Sequence, residues 1–120
     1  MLENTFFTYN LVSFSEEAFE ANITFAKDHS IYKGHFPQQP VTPGVCQIQA
    51  VKEVFAKLLG QKLVLSSAKE VKFLNLHVPE IDNIQLKARY SKQDDGFALT
   101  ASLEKDTVIY TKLKAHFGTV

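Results

Sequence analysis

Residues 34–45 read Gly-His-Phe-Pro-Gln-Gln-Pro-Val-Thr-Pro-Gly-Val, and they are the most informative part of the chain. The prolines at positions 37, 40 and 43, together with Gly34, exclude regular secondary structure from most of this stretch. His35 lies within it, between a glycine and a Phe-Pro pair. Because the unperturbed pKa of histidine is about 6.5, a neutral imidazole can act as a base near pH 7. The stretch therefore predicts a functional loop that presents a histidine.

A helix is predicted to follow this loop directly. Thr42 is a suitable N-cap, and Pro43 suits the first helical position. The first N–H groups of a helix have no internal partners, and a glycine such as Gly44 lets a ligand approach the backbone closely. An N–H of this kind can bind the carbonyl oxygen of a thioester and stabilise a developing enolate. A base beside it suits removal of the proton α to that carbonyl. Apolar residues then recur at helical spacing up to Gly60, a typical helix stop: Val45, Ile48, Val51, Phe55, Leu58 and Leu59.

The other regular segments are predicted to be strands. Apolar and polar residues alternate over residues 18–26, and Gln93-Asp94-Asp95-Gly96 indicates a hairpin. The simplest architecture is an α+β fold in which an antiparallel sheet wraps around one central helix, in a single domain of residues 1–120. The predicted strands are 6–14, 18–26, 63–76, 84–91, 97–103 and 108–117.

Composition restricts the class of protein. The chain is 45% hydrophobic, which suffices for a compact core, and its 13 basic and 13 acidic residues balance. This balance argues against a nucleic-acid partner. One cysteine, Cys46, cannot form an intrachain disulfide, and no Cys/His cluster has zinc-site spacing, so no metal is expected. The first residues lack signal-peptide features and no apolar run approaches the roughly 20 residues of a membrane span. We therefore expect a cytoplasmic protein without membrane insertion.

The loop and helix start resemble the signature of the FabZ- and FabA-type β-hydroxyacyl-acyl-carrier-protein dehydratases. That signature is G-H-F-P, a short spacer, P, two residues and then P-G-V, which residues 34–45 match. Residues 28–32, Val71-Lys72-Phe73 and Val78-Pro79 extend the resemblance over nearly the whole chain. It implies a hot-dog fold and a homodimer, or a higher oligomer, with active sites between protomers. It also implies substrates carried on the phosphopantetheine of acyl carrier protein, with no bound cofactor.

The resemblance also implies a mechanism. His35 would act on the C2 proton and the Gly44 N–H would polarise the thioester carbonyl, while an apolar tunnel holds the acyl chain. Loss of water across C2 and C3 would then give a trans-2-enoyl thioester, in fatty-acid, lipid or polyene biosynthesis. The residues expected to bind substrate are Tyr32, Phe36, Pro37 and Val45.

The chain departs from the family pattern on the helix. The family uses a carboxylate from the helix of the other protomer to protonate the leaving hydroxyl. It lies five residues beyond the glycine of P-G-V, and here that position is Gln49. An amide cannot deliver a proton as an acid does, and losing a general acid typically costs roughly 10²–10⁴-fold in rate. Glu53 follows one turn later on the same helix face. One hypothesis is that Glu53 supplies the acid while Gln49 orients substrate or water. The other is that Glu53 pairs with Lys57 on a solvated face.

Two other functions remain open. A non-catalytic acyl-thioester-binding subunit would explain Gln49, although the presence of His35 and Gly44 argues mildly against it. A hot-dog acyl thioesterase is disfavoured by the G-H-F-P loop. Weaker candidates have a functional and a structural explanation each: the site entrance or loop packing for His29, and a nucleophile or a small buried residue for Cys46. The basic residues Lys33, Lys72, Lys87 and Arg89 would contact an acidic carrier protein or occupy solvated strand positions. No role is assigned to His77 or His116.

Overall fold

The computed structural model describes residues 2–32 and 40–120. In these two ranges no helix is long and apolar enough to cross a membrane. The elements, in chain order, are β1 (Phe7–Phe14), β2 (Ala18–Phe25), a 3₁₀ turn (Ser30–Tyr32), α1 (Gly44–Leu59), β3 (Leu63–Phe73), β4 (Ile84–Gln93), β5 (Gly96–Lys105) and β6 (Val108–Thr119).

The six strands form one sheet in the order β1-β2-β4-β5-β6-β3, and every neighbouring pair is antiparallel. The predicted hairpin between β4 and β5 is confirmed, with Gln93 paired to Gly96. Gly96 has a φ of 154°, and a Cβ there would lie 2.9 Å from Cα of Gly118, so this position requires glycine. The order leaves β1 and β3 at the two edges of the sheet.

The sheet wraps around α1, as the alternation of apolar residues predicts. Phe55 of α1 is fully buried, and its ring packs on Phe19 of β2 at a centroid distance of 5.5 Å. It also contacts Tyr90 of β4, Phe97 of β5 and Phe117 of β6 at 5.0–6.1 Å. One helical side chain thus meets four strands, which confirms the α+β architecture of a sheet around a central helix. This packing fixes the helix relative to the sheet and so fixes the start of the helix, where the candidate site lies.

Some predicted boundaries differ from the structure. β3 ends at Phe73 rather than at residue 76, because the N–H of Leu74 bonds to the carbonyl of Tyr110 outside the regular ladder. The chain just before the proline-rich stretch forms a 3₁₀ turn at Ser30–Tyr32, which the sequence does not predict. Gly60 does end the helix as predicted. It has a φ of 66° and donates its N–H to the carbonyl of Lys57 at 3.2 Å.

Candidate active site at the start of the helix

The predicted site falls partly outside the described residues. His35, Phe36 and Pro37 belong to residues 33–39, which the structure does not describe, so their assigned roles stay predictions. The chain on either side of this gap is placed. Tyr32 ends the 3₁₀ turn and is buried, with 4% of its surface exposed, and Pro40 is half-buried. The site can therefore be built from the helix and from the elements that flank the gap.

The helix begins one residue later than the sequence predicts. Its N-cap is Pro43, with a φ of −59° and ψ of 140°, and Gly44 is the first helical residue. Thr42 is not the N-cap, because its hydroxyl bonds instead to Tyr32 and His77. Within the described residues no acceptor is bonded to the N–H of Gly44. An unpaired N–H at a helix start carries partial positive charge and suits a negatively charged oxygen.

Phe73, at the end of β3, covers Gly44. A Cβ on Gly44 would lie 2.7 Å and 2.9 Å from Cε1 and Cε2 of the Phe73 ring, closer than van der Waals contact. Phe73 as a whole is 53% exposed. The fold thus brings the Lys72-Phe73 motif beside the helix start, where glycine leaves room for the ring. Val45 is 76% exposed at the same helix start, and its expected contact with substrate stays a prediction.

Gln49 and Glu53 lie on one face of the helix and bind each other. Nε2 of Gln49 donates to Oε2 of Glu53 at 2.8 Å. The Glu53 carboxylate also accepts the backbone N–H of Leu2, at 2.8 and 2.9 Å, and that of Glu3, at 2.9 Å. Only 6% of Glu53 is exposed. Burial raises the pKa of the Glu53 carboxyl, but these hydrogen bonds outweigh that effect and hold its pKa below the ordinary value.

These contacts correct the alternative that placed Glu53 in an ion pair with Lys57 on a solvated face. Lys57 pairs with Glu3 at 3.0 Å, and Glu53 is buried beneath the first residues of the described chain. The proposed role of Glu53 as acid is a separate question. A carboxyl whose pKa is lowered stays ionised at neutral pH, and an ionised carboxylate has no proton to give. The contacts indicate that Glu53 anchors the segment around Leu2 and Glu3 to the helix.

An open cavity of about 700 Å³ lies along the same helix face, a volume in the range of small-molecule sites. Gln49 and Glu53 line one part of it. Its walls also include apolar side chains from the helix, the start of β3 and the end of the chain: Ala56, Leu63, Val64 and Val120. The fold thus places the two helix residues of the sequence prediction on the wall of one largely apolar cavity.

The structure reveals a buried polar cluster that the sequence analysis did not assign. Tyr32, predicted to bind substrate, donates or accepts a hydrogen bond with Thr42 Oγ1 at 2.8 Å. Thr42 Oγ1 in turn meets Nδ1 of His77 at 2.6 Å, and His77 is 1% exposed. His77 lies between Leu76 and Val78 and 35 residues from Thr42, so the sequence around it gives no local signal of this contact. The cluster joins both ends of the gap to the connection between β3 and β4.

The weaker candidates take structural positions. His29 accepts the N–H of Ile31 and packs its ring edge-on against Phe6, which agrees with loop packing. Burial raises the pKa of the Cys46 thiol, so its environment does not favour a reactive thiolate. The basic residues Lys72, Lys87 and Arg89 line a cavity of about 580 Å³ outside the core, where Lys72 pairs with Glu70 and Lys87 with Glu104.

Glu53→Gln tests whether Glu53 is an anchor or an acid. Glutamine keeps one oxygen for the backbone N–H groups of Leu2 and Glu3, and the amide of Gln49 can rotate to accept instead of donate. We expect the free energy of unfolding to fall by about 1–2 kcal/mol, because bonds to a charged group are replaced by neutral ones. Turnover of the folded variant should stay within a few-fold of the parent chain. A loss of roughly 10²-fold or more in kcat, at unchanged fold by circular dichroism, would establish an acid.

Comparison with known proteins agrees with the predicted family. The model of the ApeI-like family, described as "ApeI dehydratase", matches residues 12–112. The chain is 37% identical over 68 residues to the bifunctional enzyme LpxC/FabZ of Bacteroides thetaiotaomicron, covering 57% of this chain and 13% of that protein. It is 32% identical over 79 residues to the 3-hydroxyacyl-[acyl-carrier-protein] dehydratase FabZ of Clostridium acetobutylicum, covering 55% of each. The chain thus spans about half, or less, of the length of these curated relatives.

Solved structures with the same fold include a dehydratase. The dehydratase heterocomplex ApeI:P from Xenorhabdus doucetiae matches with a TM-score of 0.67 and 21% identity, over 91% of this chain and 94% of that one. The conserved protein PA5202 from Pseudomonas aeruginosa matches with a TM-score of 0.64 and 13% identity, over 93% and 88%. At these identities the likeness shows the fold, which is the predicted hot-dog fold.

Proposed function

The chain belongs to the ApeI-like dehydratase family, and on that premise we propose that it is a 3-hydroxyacyl-acyl-carrier-protein dehydratase. It would remove water from a 3-hydroxyacyl thioester to give the trans-2-enoyl thioester. The substrate would arrive on the phosphopantetheine of an acyl carrier protein, and the reaction needs no resident cofactor. The two FabZ relatives described above support the substrate class, because their names give the 3-hydroxyacyl carrier-protein activity or the FabZ type.

The observation that carries the proposal is the Gly44 N–H at the start of α1. This N–H has no acceptor among the described residues, and in the sequence Gly44 follows His35 by nine residues. A donor in this position can accept the negative charge that develops on the thioester oxygen when the C2 proton leaves. Removing one such donor typically costs roughly 10²–10³-fold in kcat.

The proposed reaction uses one imidazole twice. Neutral His35 takes a proton from C2, and the electron pair moves to the thioester oxygen, which the Gly44 N–H stabilises. The pair then returns to form the C2–C3 double bond, and the C3–O bond breaks. The leaving hydroxyl takes the proton from the His35 imidazolium and departs as water. This route is favoured here because Gln49 is an amide and because hydrogen bonds hold the pKa of Glu53 low.

A second copy of the chain is proposed to complete the site. β3 is an edge strand of eleven residues, so one side of its backbone has no neighbouring strand in the described sheet. It exposes apolar side chains, including Val64 (49%) and Leu65 (42%), and its last residue, Phe73, covers Gly44. Pairing of two β3 strands would bury this apolar edge and place the helix starts near the interface. The ApeI:P structure is a dehydratase heterocomplex, so a different chain is the alternative partner.

Leu65→Lys tests this interface. A charge on the β3 edge should prevent pairing of two copies, so light scattering after gel filtration should change from a dimer to a monomer mass. The matched control is Val12→Lys on the opposite edge strand, where Val12 is 56% exposed, and this variant should stay dimeric. A parent chain that is monomeric alone and pairs only with a different chain would refute the homodimer. Dissociation by Val12→Lys alone would move the interface to β1.

The function itself is tested with carrier proteins that bear 3-hydroxyacyl groups of several chain lengths. We expect the intact acyl carrier protein to lose the mass of one water when the purified chain is added. Release of the free carrier thiol together with the 3-hydroxy acid would identify a thioesterase. Binding of the acyl carrier protein without any change in mass would identify a non-catalytic subunit.

A further inference from the structure

A buried chain of hydrogen bonds connects the start of α1 to the segment between β3 and β4. It runs from the Tyr32 hydroxyl to Thr42 Oγ1 (2.8 Å), from there to His77 Nδ1 (2.6 Å), and from His77 Nε2 to the carbonyl of Ile81 (2.9 Å). Tyr32 and Thr42 are each 4% exposed and His77 is 1% exposed. Such a network is strong because its groups are shielded from water.

The network has one consistent direction of donation. The Ile81 carbonyl can only accept, so Nε2 of His77 carries the hydrogen and donates it. In the neutral ring Nδ1 is then an acceptor, which receives the Thr42 hydroxyl hydrogen. The Thr42 oxygen in turn accepts from the Tyr32 hydroxyl. Burial favours this neutral ring by lowering the pKa of His77.

Thr42 is held through its backbone as well. Its N–H donates to the carbonyl of His77 at 2.8 Å, and its carbonyl accepts Nε2 of Gln47 at 3.1 Å. Gln47 Oε1 is itself bonded by the hydroxyl of Thr111 from β6. Between Thr42 and Gly44 lies only Pro43, whose ring fixes φ. The place of Thr42 therefore sets the direction in which the Gly44 N–H points, together with the bonds that the Pro43 carbonyl, in the same peptide plane, accepts from the N–H groups of Cys46 (3.0 Å) and Gln47 (3.1 Å).

We propose that His77 is a positioning residue, which acts through Thr42 to hold the Gly44 N–H in the direction that the thioester oxygen requires. The inference rests on the proposed function, because that function assigns the oxygen to Gly44. A misplacement of about 1 Å can cost as much as 10²-fold in rate. Thr42 is buried and lies two residues before Gly44, so a small shift of Thr42 can have an effect of this size.

The protonation state of the His77 ring depends on pH, and its effect on folding stability has a definite direction. Its surroundings are the rings of Phe25 and Tyr110, Glu80, which raises its pKa, and Lys105, which lowers it. Burial is the largest influence and keeps the pKa of His77 below 6.5, so the unfolded chain binds this proton more tightly than the folded chain. The network is intact at neutral pH. Its contribution to stability is present above about pH 6.5 and declines as the pH falls below that value.

Thr42→Val and Thr42→Ser form the matched pair for the test. Valine removes the hydroxyl at similar size, whereas serine keeps it. We expect Thr42→Val to lower kcat by roughly 10–10²-fold with little change in KM, and Thr42→Ser to retain most of the activity. His77→Asn should behave like Thr42→Ser, because its Oδ1 can take the place of Nδ1 as acceptor. Equal kcat for Thr42→Val and Thr42→Ser, with both variants folded, would overturn the proposal.

A spectroscopic readout reports the direction of the Gly44 N–H without turnover. Pro43-Gly44 is the only Pro-Gly pair in the sequence, so ¹³C-carbonyl proline with ¹⁵N-glycine gives a single HNCO signal for Gly44. The measurement uses a His35→Ala chain, because this change removes the other imidazole that lies near Gly44 in the sequence. In that chain the Gly44 signal should titrate together with the His77 ring. It should also shift in Thr42→Val and not in Thr42→Ser. A Gly44 signal that ignores the His77 titration would overturn the proposal even if Thr42→Val fails to fold.

The two readouts separate this inference from the function on which it rests. If the Gly44 signal follows His77 but the parent chain shows no turnover of 3-hydroxyacyl carrier proteins, the coupling stands and the dehydratase function fails. The opposite result is a parent chain that turns over substrate while neither the Gly44 signal nor kcat responds to changes at Thr42 and His77. In that case the function stands and the positioning role is refuted.

Discussion

His35→Ala should lower kcat for dehydration by roughly 10²–10⁴-fold, the usual cost of removing a general acid–base group. In the proposed reaction this imidazole both takes the C2 proton and returns a proton to the leaving hydroxyl, so no other group can replace it. The rate is measured by mass spectrometry of the acyl carrier protein at saturating substrate. KM should change little, because the imidazole acts on the reacting bonds rather than on the carrier.

The control for this variant is His116→Ala. His116 pairs with Asp95 at 3.0 Å and bonds to Ser66, away from the helix start, so its loss should leave kcat unchanged. A His35→Ala chain that retains the parental kcat would refute the assignment of the base. Equal losses in both histidine variants would point to a general effect on the fold, which circular dichroism would detect.

Gly44→Pro should lower kcat by roughly 10²–10³-fold more than Gly44→Ala, the cost of one oxyanion donor. Both variants add a Cβ that meets the ring of Phe73, but only proline removes the N–H. Proline is well tolerated in the first turn of a helix, where this N–H lacks an internal partner. The ratio of the two kcat values therefore isolates the N–H from the collision with the ring.

The measurement is kcat for both variants on the same 3-hydroxyacyl carrier protein, with thermal unfolding as a check that both helices form. The Ala variant supplies the baseline, since it carries the steric change alone. Equal activity in the two variants would contradict the role of the Gly44 N–H in the reaction. An inactive Ala variant would instead show that the ring of Phe73 must stay where it is.

The fold follows from patterns that are local in the sequence. Alternation at Phe19, Ala21, Ile23 and Phe25 predicts a half-buried strand, and all four side chains are buried against the core. Gly60 ends the helix and Gly96 closes the hairpin because their backbone conformations favour glycine. Signals of this kind act within a few residues, so they can be recognised before the chain is folded.

The contacts that shape the site are not local, so no pattern in the sequence predicts them. Leu2 and Glu3 reach Glu53 across some fifty residues, and Thr42 reaches His77 across 35. Helical spacing correctly places Gln49 and Glu53 on one face, but it does not reveal that the backbone N–H groups of Leu2 and Glu3 bond to the Glu53 carboxylate and favour its ionised form. Thr42 was predicted as an N-cap because its type suits that position, yet His77 and Tyr32 engage its hydroxyl instead.

The departure from the family pattern at Gln49 gains a physical explanation from these contacts. If the acid of the family had moved by one turn to Glu53, that carboxyl would need to hold a proton near neutral pH. Instead it accepts the N–H groups of Leu2 and Glu3, which favour its ionised form. An elimination that uses His35 for both proton transfers is consistent with these two helix residues. Gln49 is an amide, and the Glu53 carboxylate is already bonded to backbone N–H groups.

The most direct test of this account uses a 3-hydroxyacyl carrier protein with deuterium in place of both hydrogens at C2. In a single turnover the account predicts a trans-2-enoyl product that retains one deuterium, so the carrier-bound acyl group loses the mass of water with one deuterium. The same loss should vanish in His35→Ala. An acyl group that keeps both deuterium atoms and its hydroxyl, or that leaves the carrier as a free acid, would contradict the assignment of this chain as a dehydratase.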